Sequence, residues 1–205
     1  YRVHLLQEPL EAQLRLMAVA GPSATPDLFP DRASRLAFWL NARTAWTIRF
    51  AAALDETDED DETAPRTPGT FPLDGRRMTL EDIDAEILRA GDYRCVMAAP
   101  GLFPLRATLP AEPFAPDTLE EQTRENFNAF IADAERLKLD ALRKELLVPP
   151  VVWRHRDRLK RAYRETFGGP AEITLITALL PVTTGSAHHR LQNLVGYRCR
   201  GVGPQ

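Results

Sequence analysis

The chain has 205 residues, 44% of them hydrophobic and 27% charged, with 26 Lys and Arg against 29 Asp and Glu. That length supports a sizeable core, and the composition is ordinary for a soluble globular protein. A net charge of -3 gives no global pull toward nucleic acid or an anionic membrane, and no apolar run reaches the roughly 18 residues of a bilayer span.

Leu10, Leu14 and Met17 recur at helical spacing, which predicts an amphipathic helix from Gln7 to Ala18. Gly21-Pro22 through Pro30 reads as a loop, and Asp31 or Ser34 can cap the helix that follows. That second helix should run to about Leu54. Phe38 to Leu54 is apolar on most faces, so it is expected to be the buried central element. Asp55 to Glu62 holds seven acids in eight residues, and Thr63 to Pro72 adds three prolines. Residues 55–70 are therefore read as an acidic, exposed loop. They lack the sharp-turn glycine of a calcium loop.

Phe71 to Met78, broken by Asp74-Gly75, predicts a hairpin. Thr79 with Asp82 three residues on is a capping box for a helix buried through Leu80, Ile83, Ile87 and Leu88. Tyr93 to Ala98 reads as a core strand. Asp117 opens a helix with Leu119, Phe127, Phe130 and Ile131 facing inward. Leu137 and Leu139, then Leu146 to Val148, suggest a second hairpin. Val152, Leu159, Tyr163 and Phe167 mark one face of a helix ending at Gly168-Gly169. A short helix from Glu172 to Leu180 stops at Pro181, and Leu194 to Cys199 reads as a last strand. Helices and short hairpins without strand–helix alternation predict an α+β fold. The expected architecture is one helix-rich domain over 1–205 with a buried central helix and short antiparallel strands.

Several residues could carry chemistry. Cys95 and Cys199 are not spaced for metal; they could pair if their two strands are neighbours, or stand as separate thiols. Cys95 could be a nucleophile with His188, His189 or His155 as its base, a thiol-dependent hydrolase or transferase, or it could be buried packing. Arg94 and Arg106 could clamp a carboxylate or phosphate, or pair internally with Glu81, Asp82 or Asp84. Asn41 lies on an apolar helix, where a buried amide must be hydrogen-bonded, so it should tie that helix to a loop or meet a ligand. Arg154 to Arg164 is strongly basic, with Trp153 and Tyr163 nearby, and could track phosphates. Overall acidity and a clean apolar stripe favour a solvated outer face, so nucleic acid is set aside as a partner. No metal site or cofactor motif is recognised, and no Gly-x-Ser-x-Gly elbow occurs.

Phe38-Trp39-Leu40-Asn41, Met78 to Ile83 running to Ile87-Leu88-Arg89, and Pro104-Leu105-Arg106 resemble the domain-of-unknown-function 547 family over roughly Ser34 to Arg200. The hydrophobic framework follows the family while its polar positions depart. Arg43 and Thr44 stand where that family has Tyr and Asn, Ala85 and Arg94 where it has His, Leu102 where it has Cys, and Arg198 where it has Asp. Leu102 has no nucleophile, and the Arg94 guanidinium cannot serve as a general base near neutral pH. The resemblance thus implies a degenerate member that binds an unknown protein or small ligand in the remnant of the family's cleft. Asn41, Arg43, Arg94, Arg106 and Arg198 are its candidate ligand contacts, and no catalytic residue is assigned. The chain opens at Tyr1 rather than Met, which points to a processed product. Cytoplasmic and exported locations both stay open.

Overall fold

A computed structural model describes residues 7–55, 69–91, 94–95, 109–110, 112–134, 137–170 and 172–201. The fold is helix-rich α+β. The packing divides the chain into two compact units, Tyr1–Gln122 and Thr123–Gln205.

In the first unit, α1 (Gln7–Val19) buries Leu14 and Met17. The next helix, α2 (Arg32–Asp55), begins at the expected cap, where an Asp31 carboxylate oxygen accepts the Ser34 amide at 2.7 Å. That hydrogen bond, with one from the Ser34 hydroxyl, holds the Asp31 pKa below its usual value. Leu36 through Leu40, Ala42 and Ala45 are buried, so α2 is the central element its apolar faces demand. The helix includes Asp55, one residue into the acidic stretch, while residues 56–68 lie outside the described set.

The hairpin forms as its turn residues dictate. β1 (Phe71–Leu73) pairs antiparallel with β2 (Arg76–Met78), Phe71 opposite Met78. Asp74 and Gly75 have φ of 53° and 72°. Both central residues of a two-residue turn need that left-handed backbone to match strand twist, and Asp-Gly provides it cheaply. The Asp74 carboxylate, 2% exposed, accepts the Ser23 and Ala24 amides at 2.9 and 2.8 Å. The Asp74 and Gly75 amides donate in turn to Met17 and Ala18 of α1, both at 2.9 Å. A side chain on Gly21 would stand 2.5 Å from that carboxylate, so only glycine fits there. Trp46 of α2 stacks on Phe71 at 4.0 Å between ring centres.

Thr79 and Asp82 make the capping box of α3 (Leu80–Ala90), whose Leu80, Ile83 and Ile87 are buried. α3 ends where the Gly91 amide donates to Ile87. The expected strand at Tyr93–Ala98 is not seen in its two described residues, because Arg94 and Cys95 are helical. A side chain at Gly91 would meet the Cys95 sulfur at 2.8 Å. Cys95 thus lies close against the end of α3.

α4 (Leu119–Ala132) crosses the boundary between the units and buries Leu119, Phe127, Phe130 and Ile131 as its spacing predicts. In the second unit Arg190 closes this helix, donating to the carbonyls of Ile131, Ala132 and Leu137. β3 (Lys138–Asp140) and β4 (Glu145–Val148) form the second hairpin. Leu139 lies 48% exposed on this edge strand. β5 (Arg198–Gly201) adds to β4 in parallel, Cys199 opposite Leu146. The parallel pairing departs from the antiparallel expectation. A parallel neighbour needs a long crossover, and the helices between Val148 and Arg198 supply it. The last strand is shorter than predicted because Leu194 to Gly196 form a turn.

The predicted helix through Val152 and Phe167 is broken at His155 into α5 (Pro150–Arg154) and α6 (Arg156–Phe167). Val152 and Leu159 are buried, but Phe167 is 57% exposed. Gly168, φ 70°, ends α6. α7 (Leu175–Leu179), a 3₁₀ turn over Leu180–Val182 containing Pro181, and α8 (Gly185–Gln192) complete the unit.

Asp74→Ala should destabilise the protein by about 2–3 kcal/mol in urea unfolding, because two turn amides lose their acceptor. Thr79→Ala should cost about 1 kcal/mol at neutral pH. The Asp82 carboxyl is held below its usual pKa, chiefly by the Thr79 amide. The stabilisation it brings is therefore complete above the unfolded value near ~4 and lost as pH falls through the lower folded value. Urea midpoints for Asp82→Asn and wild type should converge in acid.

Candidate functional site

The residues singled out from sequence take separate places. Asn41 donates to the Phe114 carbonyl at 2.9 Å and accepts the Phe114 amide at 2.8 Å. It thereby ties the central helix to the segment before α4, with both ends of its half-buried amide satisfied. Arg43 is drawn down on α2: its guanidinium meets Asp84 at 2.7 Å and the Thr47 hydroxyl at 2.6 Å. Arg94 pairs with Glu120 of α4 at 3.1 Å. Arg198 is exposed on β5, its amide donating to Lys144 at 3.0 Å. Arg106 and Leu102 lie outside the described residues, and Ala85 is exposed on α3.

Neither Cys95 nor Cys199 is in a disulfide. Cys95, 5% exposed, belongs to the first unit, packed at the end of α3. His188 sits on α8 of the second unit, a ring nitrogen 3.1 Å from the Leu180 carbonyl. Burial pushes the Cys199 thiol up to about 11, with smaller opposing effects from the Ile176 amide and Lys160. A thiol held neutral in this way is a poor nucleophile. Among the described residues no group of three or more His, Cys, Asp or Glu is placed to hold a metal ion. No described helix is long and apolar enough to cross a membrane.

A recess lies in the first unit, where the start of α2 meets the end of α3. It encloses about 350 Å³, and Arg32, Arg35, Trp39, Glu86, Arg89 and Ser23 line it. The elements fix each side chain. Asp31 starts α2, which sets Arg32 and Arg35 on its first turn. The Arg32 Nε donates to the Ala90 carbonyl, joining the first turn of α2 to the last turn of α3. Arg35 Nε donates to Phe29 at 2.9 Å. Glu86 receives Arg76 at 2.8 Å on one oxygen and Arg89 on the other. Ser23 is set at the edge by the turn that Asp74 holds. Trp39, 2% exposed, is the apolar wall.

Three guanidiniums thus share one open recess with one carboxylate, and that carboxylate also serves Arg76. Each guanidinium carries five N–H donors in a planar fork. Among the described residues Arg32 commits one of them, and Arg35 and Arg89 no more than two each. The start of α2 adds the positive end of a long helix. The arrangement can bind an anion bearing planar or tetrahedral oxygens. Sequence reasoning missed all three arginines. Arg32 and Arg35 at i, i+3 beside a cap were visible, but their meeting with Arg89 depends on how α2 and α3 pack.

In native protein at pH 8, Cys199 should react with iodoacetamide far more slowly than in urea. Raising a thiol from 9.0 to about 11 leaves roughly a hundredfold less thiolate at that pH. Mass spectrometry of peptides quenched over time would read the rate, and native labelling as fast as unfolded would contradict the burial.

No family model, curated protein or solved structure matches this chain.

Proposed function

We propose that the chain is a non-catalytic binding domain whose ligand is a small anion, carrying a carboxylate or phosphate, held by Arg32, Arg35 and Arg89. The observation that carries this reading is the convergence of three guanidiniums on one recess with a single, doubly paired carboxylate. Cys95 supports it from another side, since it is 5% exposed and so poorly placed to attack a substrate. The resemblance to the domain-of-unknown-function 547 family points the same way. Its framework is kept while Arg94, Leu102 and Arg198 replace the positions that could do chemistry. The binding place moves, however, from the family's expected cleft to the junction of α2 and α3. Charge-assisted hydrogen bonds to guanidinium are the strong ones.

Isothermal titration at low ionic strength with citrate and with inorganic phosphate tests this. At least one should bind, and Arg32→Ala or Arg89→Ala should each weaken it about tenfold. Arg32→Lys should recover part of the loss, since it keeps the charge without the fork. Urea unfolding of each variant separates lost binding from lost stability. Undiminished binding by the Arg32→Ala/Arg89→Ala double variant would place the anion elsewhere.

A further inference from the structure

The recess of the first unit holds an acid among its arginines. Glu86 is half-buried on α3, one turn before the exposed Arg89. One of its carboxylate oxygens meets the Arg89 guanidinium, and the other meets Arg76 of β2 at 2.8 Å. Partners on two elements hold the carboxylate in place. In the empty recess Glu86 is therefore a resident anion on Arg89.

The two walls of the recess differ for this reason. On the α2 side, Arg32 and Arg35 are tied through backbone carbonyls, those of Ala90, Phe29 and Pro30. Asp31 feels the charge of Arg35, but its carboxylate is occupied by the Ser34 amide. On the α3 side, Arg89 already has its carboxylate. A simple carboxylate arriving at Arg89 exchanges one such bond for another. It meets the like charge of Glu86 and gives up its own freedom of motion, which the tethered Glu86 has already lost. An anion with two linked charged groups is different. One group settles on Arg32 and Arg35, and the second then reaches Arg89 without another loss of freedom. The bond from Arg32 Nε to the Ala90 carbonyl sets the α2 pair beside Arg89, so a short link suffices.

We propose that Glu86 sets the specificity of this recess, excluding simple monocarboxylates and restricting the ligand to anions with two linked charged groups, of which diphosphate is a compact case. Arg32 and Arg35 take one group, Arg89 takes the other, and Glu86 is left to Arg76. This inference rests on the anion-binding reading of the same recess.

Isothermal titration at pH 8 and fixed ionic strength tests it, with diphosphate, malonate, orthophosphate and acetate as probes. Wild type should bind diphosphate at least about tenfold more tightly than orthophosphate and should not bind acetate measurably. Malonate carries about the charge of orthophosphate but divides it between two groups, and should bind more tightly than orthophosphate. Glu86→Gln removes the resident charge, so it should bind acetate and tighten orthophosphate severalfold. Glu86→Ala, which leaves no acceptor, should do the same. Glu81→Gln removes an equal charge from the first turn of α3 and should leave every affinity near that of wild type. Far-ultraviolet circular dichroism checks the fold of each variant, and a gain of binding is not what a damaged fold produces. The inference is overturned, with the anion reading left standing, if orthophosphate matches diphosphate and malonate, if acetate binds wild type, if the Glu86 variants gain no acetate binding, or if Glu81→Gln gains as much as Glu86→Gln. Failure of every probe to bind any form overturns both.

Discussion

The Asp74 carboxylate lies inside the first unit and accepts the backbone amides of Ser23 and Ala24. A buried carboxylate without donors would cost several kcal/mol, and two orphaned amides would add to it, so each makes the other possible. Much of the unit follows from this contact. It requires glycine at position 21 and shapes the turn between α1 and α2. It presses the hairpin tip against the end of α1 through the Asp74 and Gly75 amides. It also sets Ser23 at the recess that Arg32, Arg35 and Arg89 share. The same Asp-Gly pair that turns the hairpin thus organises the segment before α2.

Arginine does different work at different depths. Arg190 is half-buried against the end of α4 and feeds two carbonyls at the end of that helix, Ile131 and Ala132, together with that of Leu137, and burial lowers its pKa while Asp133 opposes the shift. Arg43 is committed to Asp84 and Thr47. Arg32 and Arg35 anchor themselves through one edge, to Ala90 and Phe29, and keep further donors for a ligand. Arg156 is held flat on Trp153. The residue type is the same throughout. What separates a helix cap from an ion pair, a binding group or a stacking partner is the number of its donors that the fold has already occupied.

Local chemistry was legible in the sequence. Thr79 and Asp82 announce α3, Asp74-Gly75 announces the hairpin, and the apolar run after Phe38 announces the central helix. Each acts over a few residues, through a hydrogen bond or a turn preference that needs no distant partner. The misreadings share a different cause. Arg94 and Cys95 carry a strand-like pattern but coil against Gly91, whose close packing depends on Leu36 of α2. His188 reads as loop because Gly185-Ser186 is a turn signal, yet α8 begins there. The helical period continues unbroken through His155, yet the helix is interrupted there and Trp153 lies against Gly201.

By itself the sequence determined the helix-rich α+β character, the central helix, both hairpins and the poverty of nucleophiles and metal ligands in recognisable motifs. Periodicity, caps and turn residues encode these locally. Only the tertiary structure decided that Asn41 would close on Phe114, that Arg43 would be neutralised, that β5 would join β4 in parallel, and that Arg32, Arg35 and Arg89 would face one recess. Those outcomes join residues tens of positions apart. No short-range preference encodes them, because their energies arise only when packed elements bring the partners within reach.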